Sequence, residues 1–195
     1  MSIAIFAVLV LGIGAGYFLP SDVSVFLDSA SSYMLLILLF SVGIDMGLNK
    51  EVFARIKELG FKILLIPFGV IVGSLCGGAI TSFLVNLSLR EGMAISAGLG
   101  WYSLSGILIA EAGNPVAGTI AFLSNVFREM LTFIVVPFVA SHLNGYCAIA
   151  PAGATAMDTT LGIISRNTNA TIAVLSFVSG VTCTLLVPVL VPIFL

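Results

Sequence analysis

Charge is what this sequence has least of. Among 195 residues only seven are Lys or Arg and nine are Asp or Glu, 8% together, where an ordinary soluble domain carries about 25%. So few charges cannot cover a water-facing surface. With 59% hydrophobic residues and a mean hydropathy of +1.23, the single compact domain expected at this length has lipid as its surroundings. Cysteine is scarce too. Cys76, Cys147 and Cys183 stand alone in apolar stretches, with no C-x-x-C and no metal-ligand spacing, so neither a disulfide framework nor a metal site is expected. Walker, dinucleotide, H-E-x-x-H and nucleophile-elbow motifs are all missing, which removes the usual grounds for ATP hydrolysis or covalent catalysis. The expectation is a protein that is not an enzyme and has no cofactor. The basic cluster, Lys50, Arg55, Lys57 and Lys62, is short and has few aromatics interleaved, so nucleic acid is not an expected partner.

Where the few charges sit locates the membrane, because an ionised group at the bilayer centre costs roughly 2.5 to 3.5 kcal/mol on insertion scales. Charge-free stretches predict helices over about 2–19, 31–48, 63–85, 91–112, 115–142, 148–164 and 168–194. The first stretch has no basic n-region and no small-residue cleavage site before Pro20, so it reads as a retained helix rather than a signal. Asn114-Pro115 has the form of an N-cap followed by proline at the first helical position, and Pro137 predicts a bend. These segments predict an all-α polytopic membrane protein, residues 1–195 forming one transporter domain with seven crossings, although 91–112 also fits a re-entrant segment. The positive-inside rule puts the basic cluster, and with it the amino terminus, in the cytoplasm of a prokaryotic inner membrane, with the carboxyl terminus outside. On this count Asp45 and Glu111 fall near cytoplasmic helix ends, and His142 falls at an interface.

Three runs carry the candidate chemistry. Arg128-Glu129 lies about 21 Å into the helix starting at Pro115, near mid-bilayer, and the two side chains diverge by about 100°. Each therefore needs its own partner or a wet cavity. Asn125 precedes them by three and four residues and shares a face with either. The second run extends from Ala150 to Gly162. Pro151 and Gly153 break a helix there, and Thr155, Asp158, Thr159 and Thr160 bring polarity to membrane depth, the mark of a discontinuous transporter helix. A kinked packing helix with Asp158 near a surface is the alternative. In the third, Gly100 to Gly106, Trp101, Ser103 and Ser105 suit either a pore lining or close helix packing. The excess of acid over Arg128 predicts a cationic cargo, a coupled proton or sodium ion, or both.

These same runs resemble the LysO-type lysine exporter family. The resemblance rests on Gly-Trp-Tyr-Ser-Leu-Ser-Gly at 100–106, on Asn125 with Arg128-Glu129 and Pro137 beyond, and on Ala-Thr-Ala-Met-Asp-Thr-Thr-Leu at 154–161. Leu-Val-Pro at 186–188 also fits. It implies export of L-lysine and lysine analogues, by proton exchange, with Glu129 and Asp158 as the intramembrane acid pair. It also implies an inverted-repeat carrier architecture of the sodium/proton antiporter and bile-acid transporter kind. Full-length relatives have a further amino-terminal membrane part, so a small separate membrane subunit, a homo-oligomer, or both are expected partners. Gly162 stands where the family pattern has proline. Two other classes remain open: an inorganic cation/proton antiporter, and a membrane scaffold subunit whose buried charges only direct assembly.

Overall fold

The computed structural model describes residues 60–195, with scattered helical positions between Leu11 and Ile44. The chain divides into two compact units, Met1–Ile44 and Asp45–Leu195. In the first, described positions such as Leu11, Tyr33, Met34 and Phe40 are helical and exposed. The remainder of the first two expected helices, Asp45, and the stretch with Lys50, Arg55 and Lys57 lie outside the described residues. The account below concerns the second unit from Gly60 onward.

All regular structure among the described residues is helical. In chain order it comprises α1 (Leu65–Leu84), α2 (Leu89–Ser96), α3 (Tyr102–Glu111), α4 (Pro115–His142), α5 (Gly145–Ile149), α6 (Leu161–Asn167) and α7 (Ala170–Ile193). Two 3-10 turns accompany them, Phe61–Leu64 before α1 and Gly153–Met157 between α5 and α6. Short polar residues fix the starts. Ser88 accepts from Glu91 N while the Glu91 carboxylate accepts from Ser88 N, a capping box that opens α2. These Ser88 bonds, helped by Asn114, hold the exposed Glu91 carboxyl below its usual range. Asn114, Asn144 and Asn169 cap α4, α5 and α7 through their side-chain oxygens. Pro115 occupies the first turn of α4, which has the expected bounds and continues through Pro137.

Three of these helices, α1, α4 and α7, are long and apolar enough to cross a membrane. The two segments between them each double back on themselves, for 91–112 the re-entrant form that its sequence also fits. Asn114 at the start of α4 donates to Glu91 at the start of α2 over 2.7 Å. Residues 89–113 therefore begin and end at the same level. Two antiparallel pairings agree: a Cβ added at Gly92 would meet Gly78 O and Ser82, and one added at Gly118 would meet Gly106 O at 2.6 Å. Likewise Gly145, at the start of α5, lies against Ile172 in the first turn of α7, so residues 145–167 also return to the level they left. The lengths explain this outcome. Helices of 8 and 10 residues reach about 12 and 15 Å, half of the roughly 30 Å hydrocarbon layer. Glu111, at the end of α3, consequently lies at the same end of the unit as Asn114 and Glu91.

The two hairpins enter from opposite ends and meet tip to tip. Ala154 N donates to Leu99 O over 2.8 Å. Leu99 (φ 49°), Gly100 (φ 101°) and Gly153 (φ 59°) all have left-handed backbone there. A side chain at Gly153 would collide with Leu99 O, so glycine is required on steric as well as conformational grounds. Behind the second tip stands α7, which is the most buried of the three long helices. Its Ser176 Oγ donates to Ala156 O over 2.9 Å, and Gly180 lets Met157 approach the helix backbone.

Gly180 and Gly162 should therefore answer substitution differently. Gly180→Leu is expected to destabilise the protein by about 1–3 kcal/mol through overpacking. No described atom lies within 4 Å of a Cβ added at Gly162, so Gly162→Ala should be neutral or stabilising by about 0.4–1 kcal/mol. Thermal unfolding of the purified proteins in detergent measures both.

Candidate functional site

The meeting point of the hairpins holds most of the residues singled out from the sequence. Asn125, 3% exposed, spans the first break with its whole amide. Its Oδ1 accepts from Gly100 N over 2.7 Å, and its Nδ2 donates to Ala121 O at 2.8 Å and Ile95 O at 3.2 Å, with Ser105 Oγ at 3.4 Å. A buried amide used this fully orders the tip rather than waiting for a ligand. Ser105 is likewise committed, donating to Trp101 O over 2.9 Å. Trp101 and Ser103 are half-buried at the start of α3.

In the second hairpin, Thr155 and Thr160 turn toward each other, their hydroxyl oxygens 3.1 Å apart, and Thr155 also donates to Ala152 O. Both are buried, so they brace the tip from within. Asp158 differs. It follows the 3-10 turn Gly153–Met157 at the far point of the hairpin and is exposed, with its Oδ1 accepting from Thr159 N. Thr159 Oγ1 beside it is buried and finds no hydrogen-bond partner among the described residues. A buried hydroxyl left unsatisfied next to an exposed carboxylate is a local demand for a polar ligand or water.

Glu129 sits on α4, 3% exposed, one residue from Arg128 and one helical turn beyond Asn125. The Tyr102 phenol lies within electrostatic reach of Glu129 and of Asp158. Its ring is held edge-on against Phe122 of α4, centroids 5.4 Å apart. Sequence reasoning quoted Tyr102 within the 100–106 run without choosing it. Its position one residue beyond the break was the available signal.

Arg128 points elsewhere. Its Nε donates to Pro151 O over 2.9 Å, Nη2 to Ala150 O over 3.3 Å, and Nη1 to Ser74 Oγ of α1 over 2.9 Å. The guanidinium thus satisfies carbonyls at the end of α5, where the helix dipole is negative, and ties them to α1. Ser74 carried no sequence signal, being one serine among the small residues of α1. His142, expected at an interface, stacks on Phe138 at 4.2 Å and has Phe138 O 3.0 Å from its Nδ1. No group of three or more His, Cys, Asp or Glu capable of holding a metal occurs among the described residues.

Comparison with known proteins gives this arrangement a family. A family model described as lysine exporter LysO matches residues 6–195. The chain is 36% identical over 165 residues to an Escherichia coli protein named "Lysine exporter LysO", an alignment covering 85% of this chain and 54% of that protein. It is 34% identical over 191 residues to a Haemophilus influenzae protein named "Putative lysine exporter", covering 95% and 93%. The chain thus spans about half the length of the first relative and nearly all of the second. No solved structure matches it. The family is one of transporters rather than an enzyme class, and the apolar helices α1, α4 and α7 agree in pointing to a membrane protein. By the extent of the model match and of the second relative, the chain belongs to the lysine exporter LysO family.

Proposed function

We propose that this protein is a secondary transporter that exports L-lysine and lysine analogues across the prokaryotic inner membrane, exchanging them for protons at Glu129 and Asp158. The observation that carries this reading is the pair of hairpin tips meeting beside one buried and one exposed carboxylate, in a chain of the lysine exporter family. Lysine presents two ammonium groups and one carboxylate. Asp158, Thr159 and Tyr102 supply an acid, an unsatisfied hydroxyl and a phenol on which an ammonium can settle. Glu129, buried on α4, binds the second ammonium or, with the cargo gone, carries the exchanged proton. A sodium ion is the other coupling ion this chemistry admits.

In this reading each hairpin is one discontinuous membrane segment. The pair α1 with residues 89–113 and the pair α4 with residues 145–167 form inverted halves. The basic stretch before α1 places that end in the cytoplasm, so residues 89–113 enter from outside and residues 145–167 from inside, with the amino terminus inside and the carboxyl terminus outside. A small membrane subunit, a second copy of the chain, or both complete the carrier. This expectation follows from the E. coli relative, about half of which lies beyond the match.

Lysine efflux from proteoliposomes under an imposed pH gradient tests the proposal. Glu129→Gln should abolish the gradient-driven component, and an unchanged rate would count decisively against proton exchange there. Asp158→Asn should raise the half-saturating lysine concentration about 30-fold, in line with the roughly 2 kcal/mol or more lost when a charge pair is truncated. Tyr102→Phe, which removes one hydroxyl, should cost about fivefold in the same constant. Lysine, arginine and ornithine should raise the thermal unfolding midpoint of the purified protein, and stabilisation by sodium alone would favour an inorganic cation antiporter instead.

A further inference from the structure

Two cavities flank Arg128 in the groove between α1 and α4. One, of about 350 Å³, extends from Val85 and Leu87 past Ser82, Ser96 and Ser124 to Arg128. The other, of about 410 Å³, extends from Leu143 and Cys147 past Val70 and Ser74 to Arg128. Leu87 lies in the turn after α1 and Leu143 caps the far end of α4, so the cavities reach Arg128 from opposite ends of the unit. Arg128 is the one residue that lines both, and neither lining contains an acid. The groove is thus opposite in charge to Glu129 and Asp158. A cation is repelled from it, while a carboxylate is drawn to its middle.

We infer that Arg128 and Ser74 form a closed gate between two vestibules of this groove, and that a carboxylate-bearing amino acid opens it by replacing Ser74 as the partner of Arg128 Nη1. The bond from Nη1 to Ser74 Oγ runs from α4 to α1 at Arg128, the residue that both cavities share. Of the three partners of the guanidinium, the two carbonyls, Pro151 O and Ala150 O, belong to the hairpin break. Ser74 is a neutral hydroxyl on another helix, whereas a carboxylate in its place pairs opposite charges and can engage two guanidinium nitrogens at once. The guanidinium can keep Pro151 O on Nε while its outer nitrogens turn to the ligand, so the second hairpin remains supported as the bridge to α1 is released. The gate itself is independent of the carrier assignment. Only the identity of the opening ligand rests on that reading.

Sided thiol labelling of the full chain in right-side-out and inside-out membrane vesicles tests this. Native Cys147 reports one vestibule, with Cys76 and Cys183 replaced. Ser124→Cys reports the other, with Cys147 replaced as well. In the closed state a membrane-impermeant maleimide should reach Cys147 from one side and Ser124→Cys from the other. Ser74→Ala should speed labelling from the disfavoured side about tenfold for both reporters, the scale of one hydrogen bond to a charged group. Saturating L-lysine should do the same to protein with Ser74 intact, while 1,5-diaminopentane, which keeps both amines and lacks the carboxylate, should not. Labelling of both reporters from the same side, or unchanged sidedness in both Ser74→Ala and Arg128→Ala, overturns the gate. An equal effect of lysine and 1,5-diaminopentane, or no effect of either, overturns the carboxylate as its opener. Because labelling requires no net transport, a normal efflux rate for Glu129→Gln would defeat the proton-exchange reading and leave these outcomes readable.

Discussion

Everything in this unit depends on sheltering interrupted backbone at membrane depth. A peptide group without a partner in hydrocarbon costs several kcal/mol, and two chain breaks expose several such groups at once. Each break is brought against the other, so that Leu99 O and Ala154 N satisfy one another, and each is also served by a side chain from α4. Asn125 supplies donors and an acceptor to the first tip, while Arg128 supplies donors to the second. The chemical difference follows from the direction of each break. At the first tip both N–H and C=O groups need partners, which an amide matches. At the end of α5 only carbonyls do, which suits a guanidinium.

This arrangement keeps the local backbone under tension. Leu99 is a large residue in a left-handed conformation, a state that costs of order 1–3 kcal/mol. It persists because Leu99 is fully buried and its carbonyl is engaged by the opposite hairpin. Glycine serves the opposite side, at Gly153, where a second side chain could not fit. Strain located at the contact of the two tips, rather than in the long helices, puts the least settled part of the backbone beside Asp158 and Tyr102. In the carrier proposed above, that position puts the conformational reserve where cargo would bind.

The sequence showed the long elements well and their connections poorly. Asn114-Pro115 and His142 bound α4 because caps and proline act locally, and the breaks at 97–101 and 150–160 were visible as glycine and proline in polar surroundings. Whether those segments turn back was not decided by sequence, which left 91–112 open between crossing and re-entrant and read 148–164 as a crossing, since a charge-free run of about twenty residues has the same composition either way. The discriminating facts, Asn114 to Glu91 and Gly145 against Ile172, join residues far apart in the chain. The same limit applied to the site. Glu129 and Asp158 announced themselves as acids at depth, whereas Ser74 matters only through a guanidinium 54 residues away.

Charge is sorted across α4 by helical geometry alone. Consecutive residues on a helix diverge by about 100°, so placing Arg128 next to Glu129 in the chain separates them in space. Glu129 then lies, like Asp158, within electrostatic reach of Tyr102, and the groove on the side of α1 contains the guanidinium without acids. Had the two charges been four residues apart on one face, they would have neutralised one another as an ordinary ion pair. Adjacent placement instead turns the acid and the base toward different surroundings, and in the transport proposed above it presents each to a different part of a zwitterionic cargo.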